Sequence, residues 1–180
     1  MKSFLTTAAL CVAFASTAHA GEIGFGPLEV GVTSCSEAED LARSSRTLRN
    51  TDISAVTDGS MLRMGPGAFG LSFVSSATVI CDGSDQTVEA VNVVISKTDA
   101  ASIADALEGK YERVSRNLPR LGAGEALYRS ESGDTEAWLR YQHVSFDANI
   151  LVSTKAFDKA LADYQNSKVS DAQSEKEGAF

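Results

Sequence analysis

Apolar and polar residues alternate, or β-branched residues cluster, along several short segments of the chain, as in β-strands with at least one buried face. Turn residues separate the segments. Asp82-Gly83-Ser84-Asp85, for example, is a hairpin signal between two of them. The pattern therefore predicts antiparallel strands joined by short turns. The predicted strands are residues 28–32, 60–64, 71–81, 87–96, 125–130, 135–143 and 149–154.

Three other segments carry apolar residues at helical spacing, which predicts amphipathic helices. The first runs from about residue 36 to 48, and either Ser34 or Ser36 can cap it, because a glutamate follows each serine by three residues. The second starts at Thr98 or Asp99 and stops at Pro119. The apolar stripe of the second helix is Ile103, Leu107, Tyr111, Val114 and Leu118, and that of the third is Phe157, Ala160, Leu161 and Tyr164.

The predicted elements follow each other as strand, helix, three strands, helix, three strands and helix. This order predicts an α+β fold in which an antiparallel sheet carries helices on one face. The fold is expected to be a single compact domain over residues 21–164. Residues 165–180 follow as a polar C-terminal tail without an apolar stripe to hold it.

Two helix-plus-three-strand units in tandem make up this domain, as pseudo-repeats of about residues 36–97 and 99–155. Similar strand-to-helix junctions, at 92–96 and at 149–153, support the repeat. Whether the units are a true duplication stays open. In fold alone they resemble the tandem modules of β-lactamase inhibitory proteins, and that resemblance implies a protein that binds and inhibits or scaffolds another protein.

The first 20 residues have the order of a cleavable secretory signal: Lys2, an apolar run over residues 4–15, and Ala18-His19-Ala20 before Gly21. The apolar run is shorter than the ~20 residues that cross a bilayer. We therefore expect the mature chain to begin near Gly21, in the periplasm or outside the cell, with no stable membrane insertion after signal cleavage.

The net charge and the cysteines indicate which ligands the protein disfavours and whether it forms a disulfide. Losing the signal removes Lys2 and no acidic residue, so the net charge falls from −8 to −9. An acidic chain with dispersed basic residues disfavours nucleic-acid binding. In an oxidising compartment the two remaining cysteines, Cys35 and Cys81, are expected to form a disulfide, because a redox pair usually places its cysteines two residues apart.

Few residues of the mature chain offer catalytic chemistry. His143 is its only histidine, which excludes a multi-histidine metal site, and no G-x-S-x-G sequence is present to pair with it. Gly65-Pro66-Gly67-Ala68-Phe69-Gly70 fits G-x-G-x-x-G but leads into a predicted strand instead of a helix, so we interpret it as a turn. We predict no catalytic residue, no metal and no cofactor.

One strand carries the candidate binding residues. Alternation along 135–143 places Ala137, Leu139 and Tyr141 toward the core, which turns Glu136, Trp138 and Arg140 to the helix-free face. An exposed Trp beside Arg is typical of interaction hot spots. The alternative is that the C-terminal helix or the neighbouring unit covers Trp138. We predict an exported, non-enzymatic binding protein of the inhibitor, immunity or envelope assembly type, whose partner is an envelope protein. The alternative is a carboxylate-dependent hydrolase acting on envelope polymers.

Overall fold

The computed structural model describes residues 21–84 and 86–178, with the backbone alone for 171–178. These residues form antiparallel sheets and three α-helices, so the fold is mixed α+β as predicted. Short 3₁₀ turns lie at Ala68–Gly70 and Lys97–Asp99. The strands are β1 (Gly24–Phe25), β2 (Leu28–Glu29), β3 (Leu48–Ile53), β4 (Asp58–Met64), β5 (Val74–Asp82), β6 (Val88–Ser96), β7 (Glu112–Asn117), β8 (Gly124–Arg129), β9 (Thr135–Tyr141) and β10 (Asp147–Thr154), and the helices are α1 (Cys35–Ser44), α2 (Ala100–Glu108) and α3 (Lys155–Gly178).

One antiparallel sheet of eight strands dominates the structure, in the order β3-β4-β5-β6-β10-β9-β8-β7. β1 and β2 form a separate small hairpin. Each half of the large sheet is a four-stranded meander, and the halves meet where β6 pairs with β10. At this seam β-branched residues face each other, with Val91 opposite Val152 and Val93 opposite Ile150. Each half therefore holds four strands, one more than the sequence pattern predicts.

The face of the large sheet that we call the inner face packs against α1, α2 and the β1–β2 hairpin. Ala137, Leu139 and Tyr141 of β9 lie on this face, as predicted, and are buried. The two helices contribute small side chains to the same core, which lets them lie close to the sheet. These helical core residues are Cys35, Ala38 and Ala42 of α1 and Ala100 and Ala104 of α2.

The prediction that all helices share one face is wrong, because α3 lies on the opposite face, which we call the outer face. The Ser153 hydroxyl, on the outer face of β10, donates to Asp158 of α3 at 2.7 Å. Phe157 of α3 and Ala90 of β6 are buried, yet they stand outside the main core cluster. Period-two strands leave apolar residues on both faces of this sheet, so the outer face has enough apolar surface to hold a helix.

The predicted second helix is also wrong beyond residue 108. α2 ends at Glu108, and the chain continues as β7, the edge strand that pairs with β8. Val114 belonged to the predicted apolar stripe, but it lies on this edge strand and is 43% exposed. Arg116 of β7 forms ion pairs with Asp105 and Glu108 of α2, so charge contacts hold the edge strand beside the helix. The first helix is shorter than predicted for the same reason, since Leu48 begins edge strand β3.

The start of α1 agrees with the sequence. Ser34 caps the helix, and Glu37 completes a capping box by accepting from the Ser34 backbone N–H at 3.0 Å. Cys35 follows directly and forms a disulfide with Cys81 of β5, with a Cα–Cα distance of 6.0 Å. The predicted bridge is therefore confirmed, and it ties the first turn of α1 to the central part of the sheet.

The C-terminal polar segment forms part of a helix in the structure. α3 extends to Gly178, past Gln165, where the sequence analysis places the start of a tail. Its residues 165–170 are all exposed, whereas Phe157 near its start is buried. None of the helices in the described part of the chain is long and apolar enough to cross a membrane.

Candidate functional site

The candidate residues Glu136, Trp138 and Arg140, together called the β9 strip, lie on the outer face of the sheet. They alternate with the buried residues of β9, as period-two geometry requires. Trp138 lies between Leu127 of β8 and Leu151 of β10 in the strand register. The strip therefore crosses the middle of one half of the sheet.

Trp138 is held by its neighbour instead of being free in solvent. The Arg140 guanidinium carbon lies 3.3 Å from the centroid of the indole ring, which is a cation–π contact. The side chain is 40% exposed. Arg140 therefore covers part of the indole ring, and the rest of the ring is open to solvent.

Glu136 is paired along the same face. Arg129 of β8 donates to its Oε1 from Nε at 2.9 Å and from Nη2 at 2.7 Å. Both side chains are part-buried, and the two guanidinium donors hold the carboxylate in position. The site thus contains a fixed anion beside a fixed aromatic ring and a cation.

Helix α3 forms one wall of a pocket at the strip. The pocket has a volume of about 290 Å³ and is bordered by Trp138, by Glu136 and, across from them, by Leu161 and Asp158 of α3. The predicted helix-free surroundings of Trp138 are therefore wrong, although the ring is not buried under the helix. The sequence pattern missed this because the apolar stripe of a helix does not indicate which face of a sheet will bury it, and here Phe157 is buried outside the main core cluster.

Asp158 of α3 places a carboxyl group at the edge of this pocket. Burial raises the pKa of its carboxyl group, and the hydrogen bond from Ser153 opposes that rise. The negative charge of Glu136 adds a smaller upward contribution to the same pKa. The pocket therefore contains two carboxyl groups in different environments, one paired with Arg129 and one partly desolvated.

Sequence analysis missed Asp158, Ser153 and Arg129. Strand alternation could have found two of them, because Ser153 is opposite Glu136 on β10 and Arg129 is opposite Glu136 on β8. Asp158 follows Phe157 on the predicted helix, but no pattern in the sequence indicates which face of the sheet that helix covers.

Other parts of the described chain offer less chemistry. An apolar groove of about 450 Å³ lies between the β1–β2 hairpin and α2, where burial raises the pKa of Tyr111. His143 is exposed in the loop after β9, and no cluster of His, Cys, Asp or Glu among the described residues could hold a metal ion. The Gly65–Gly70 segment forms a turn that leads into β5 through a short 3₁₀ helix, with no α-helix at its end.

The chain matches no protein-family model, no curated protein and no solved structure.

Proposed function

We propose that this is an exported, non-enzymatic binding protein that holds an envelope protein partner on the outer face of its sheet, through the β9 strip. The observation that carries the proposal is Trp138, which remains 40% exposed while Arg140 stacks on its ring. A large aromatic ring that is fixed but only partly covered has apolar surface left for a partner to bury. An inhibitor, an immunity protein and an envelope assembly factor all need such a surface.

The charges around the ring suit recognition of a protein. Glu136 and Arg129 neutralise each other, while Arg140 has no ion-pair partner among the described residues. An acidic side chain of the partner beside Arg140 would therefore complete a charge pair at the rim of the apolar contact. Aromatic anchors surrounded by polar rims are the usual construction of protein interfaces.

Two further features support export and a tandem architecture. A buried disulfide suits an oxidising compartment such as the periplasm or the extracellular space. The strand order is what two tandem helix-plus-four-strand units would give if their last strands paired with each other. We infer that the sheet is a duplicated unit, which enlarges the outer face beyond what one four-stranded unit offers.

The test is affinity capture from envelope extracts with the chain from Gly21 as bait, followed by titration of the captured protein. Trp138→Ala should weaken binding about thirtyfold, as expected for the loss of an interface hot spot worth ~2 kcal/mol. Arg140→Gln should also weaken it, without removing packed apolar surface. Ile53→Ala is the matched control, because Ile53 is 68% exposed on the far edge strand β3.

Three results would contradict the proposal. The first is equal binding by the Trp138→Ala and Ile53→Ala proteins. The second is a captured protein that binds the Arg140→Gln variant as tightly as the wild type. The third is loss of the folded state in Trp138→Ala, measured by circular dichroism, which would assign the ring to the core.

A hydrolase that uses carboxyl groups is the second candidate, because Glu136 and Asp158 border the same pocket. A partly desolvated carboxyl group beside a second carboxyl group that is paired with a guanidinium is an arrangement that general acid–base hydrolysis can use. Asp158→Asn removes the acid and keeps an oxygen that accepts from Ser153. If the wild-type chain releases soluble products from purified cell-wall polymers and Asp158→Asn abolishes that release while binding and folding persist, the hydrolase proposal replaces the first.

A further inference from the structure

Three of the most exposed large apolar side chains of the described residues lie in two loops at one end of the sheet. Leu121 is 83% exposed, Val144 is 84% exposed and Phe146 is 91% exposed. Leu121 belongs to the loop between β7 and β8, and the other two belong to the loop between β9 and β10. We call these three residues the apolar tip. It is separate from the β9 strip, which lies on the face of the sheet and not at its end.

Lys97 joins the two loops. Its ammonium group donates to the carbonyl oxygens of Gly122 at 3.2 Å, Gln142 at 3.0 Å and His143 at 3.3 Å. The first of these carbonyls adjoins Leu121 and the last adjoins Val144, so one cation holds both parts of the tip side by side. The backbone N–H of Lys97 also donates to the carbonyl oxygen of Phe146 at 2.8 Å.

The hydrogen bonds of Lys97 connect the apolar tip to the core, so its exposed position belongs to the folded structure. The Lys97 ammonium lies 4.5 Å from the centroid of the Tyr141 ring, and the Tyr141 hydroxyl donates to the Pro119 carbonyl oxygen at 2.7 Å. Tyr141 itself is buried in the core. The loops are thus fixed to the core while their apolar side chains point into solvent.

The charges near the tip have the opposite sign to the chain as a whole. The mature chain has a net charge of −9, since it keeps all 24 acidic residues and loses Lys2. Neither loop, residues 118–123 or 142–146, contains an Asp or Glu, and they carry Arg120 and His143. Arg120 is exposed and has no ion-pair partner among the described residues. The nearest acidic residue along the second loop is Asp147, which begins β10.

We propose that the apolar tip docks the protein peripherally on a bilayer that contains anionic phospholipids. Leu121, Val144 and Phe146 would enter the boundary between headgroups and acyl chains, where aromatic and aliphatic side chains lose their contact with water. Arg120 and Lys97 lie at headgroup depth, where cations are attracted to anionic lipid. The net negative charge of the rest of the protein orients this end toward such a surface.

The shape of the tip favours a bilayer over a protein. Protein hot spots are usually inserted into a pocket of the partner, with neighbouring contacts that exclude water around them. Here each apolar side chain is more than four-fifths exposed and comes from a loop, so most of its surface is open to solvent. A fluid interface accepts such protruding side chains without needing a complementary pocket.

The experiment measures binding of the chain from Gly21 to vesicles of phosphatidylethanolamine and phosphatidylglycerol by flotation. Starting at Gly21 removes the apolar run over residues 4–15, which would bind bilayers by itself. Phe146→Ser should lower the partition coefficient by about tenfold or more, because the phenyl ring is the largest apolar surface that the tip would bury in the bilayer. Arg120→Gln should lower it about fivefold. Vesicles of phosphatidylcholine alone should bind the wild type more weakly.

The matched control is Ile53→Ser, which removes an exposed apolar side chain far from the tip and should leave vesicle binding unchanged. Sedimentation of each variant without lipid measures self-association. The proposal is overturned if the wild type does not bind anionic vesicles, or if Phe146→Ser binds as well as the wild type. It is also overturned if Ile53→Ser lowers vesicle binding as much as Phe146→Ser does. A wild-type dimer that Phe146→Ser abolishes would overturn it as well, because a second copy of the chain would then be the partner.

Discussion

Removing the Cys35–Cys81 disulfide tests how much of the stability depends on one covalent link. The bridge closes a loop with a sequence separation of 46 residues. Chain-entropy arguments give about 4 kcal/mol for a loop of this length. Since small domains are stabilised by only about 5–15 kcal/mol in total, the loss would be a large share of the free energy of unfolding.

The backbone around the disulfide is held by contacts of its own, so the stabilisation by the disulfide should come mainly from the entropy of the unfolded chain. The backbone N–H of Cys35 donates to the Gln86 carbonyl oxygen at 2.6 Å, and Ser34 forms a β-bridge with Thr87. These backbone contacts do not depend on the sulfur–sulfur bond. Reduction should therefore leave the folded state in place and act mainly by freeing the unfolded chain.

The assay is urea unfolding of the oxidised protein, the reduced protein and the double variant Cys35→Ala/Cys81→Ala. Reduction and the double substitution should each lower the free energy of unfolding by about 4 kcal/mol relative to the oxidised protein. The double variant should lose slightly more, because Cys81 is fully buried and alanine leaves part of its space empty. A loss below about 1 kcal/mol in the reduced protein would refute the entropic reasoning.

Two further predictions concern single side chains. Gly124→Ala should destabilise the fold by about 2 kcal/mol, because the added Cβ would overlap the ring of Tyr141. The control is Gly109→Ala, whose Cβ meets its nearest atom at 3.6 Å. In thermal melting this control should be neutral or stabilising. The Asp158 carboxyl has a raised pKa in the folded state, so the folded state binds this proton more tightly than the unfolded state does. The free energy of unfolding should therefore fall as the pH rises through the window just above the usual aspartate pKa. Asp158→Asn should remove that fall when denaturation is followed across the window, and an unchanged pH profile would contradict the assignment.

The sequence predicted those elements whose signal is local. Strand alternation located β9 and the direction of Trp138, and the spacing of Ser34 and Glu37 located the cap of α1. The bridge was predicted from the two cysteines that follow the predicted signal segment. For the strand and the helix cap, the physical cause lies in neighbouring residues, whereas the bridge followed from the chemistry of two cysteines that are far apart in the sequence.

The errors have tertiary causes. Val114 and its neighbours fit a helical stripe, but pairing with β8 made them an edge strand. The sequence did not indicate which face of the sheet α3 covers, because that depends on how the helix packs on β6 and β10, which are strands of different halves of the sheet. For the same reason the β9 strip was predicted, whereas Asp158 beside it was not.

The seam between β6 and β10 has a consequence for the order of folding. Within each meander every strand pairs with its neighbour along the chain, so these pairings close short loops and can form early. The seam joins strands far apart in the sequence, and the Ile23 backbone N–H reaches still further to the Thr135 hydroxyl, at a separation of 112 residues. These late contacts pay the largest loop-closure entropy, so we expect the two meanders to form first and the seam and the N-terminal segment to close last.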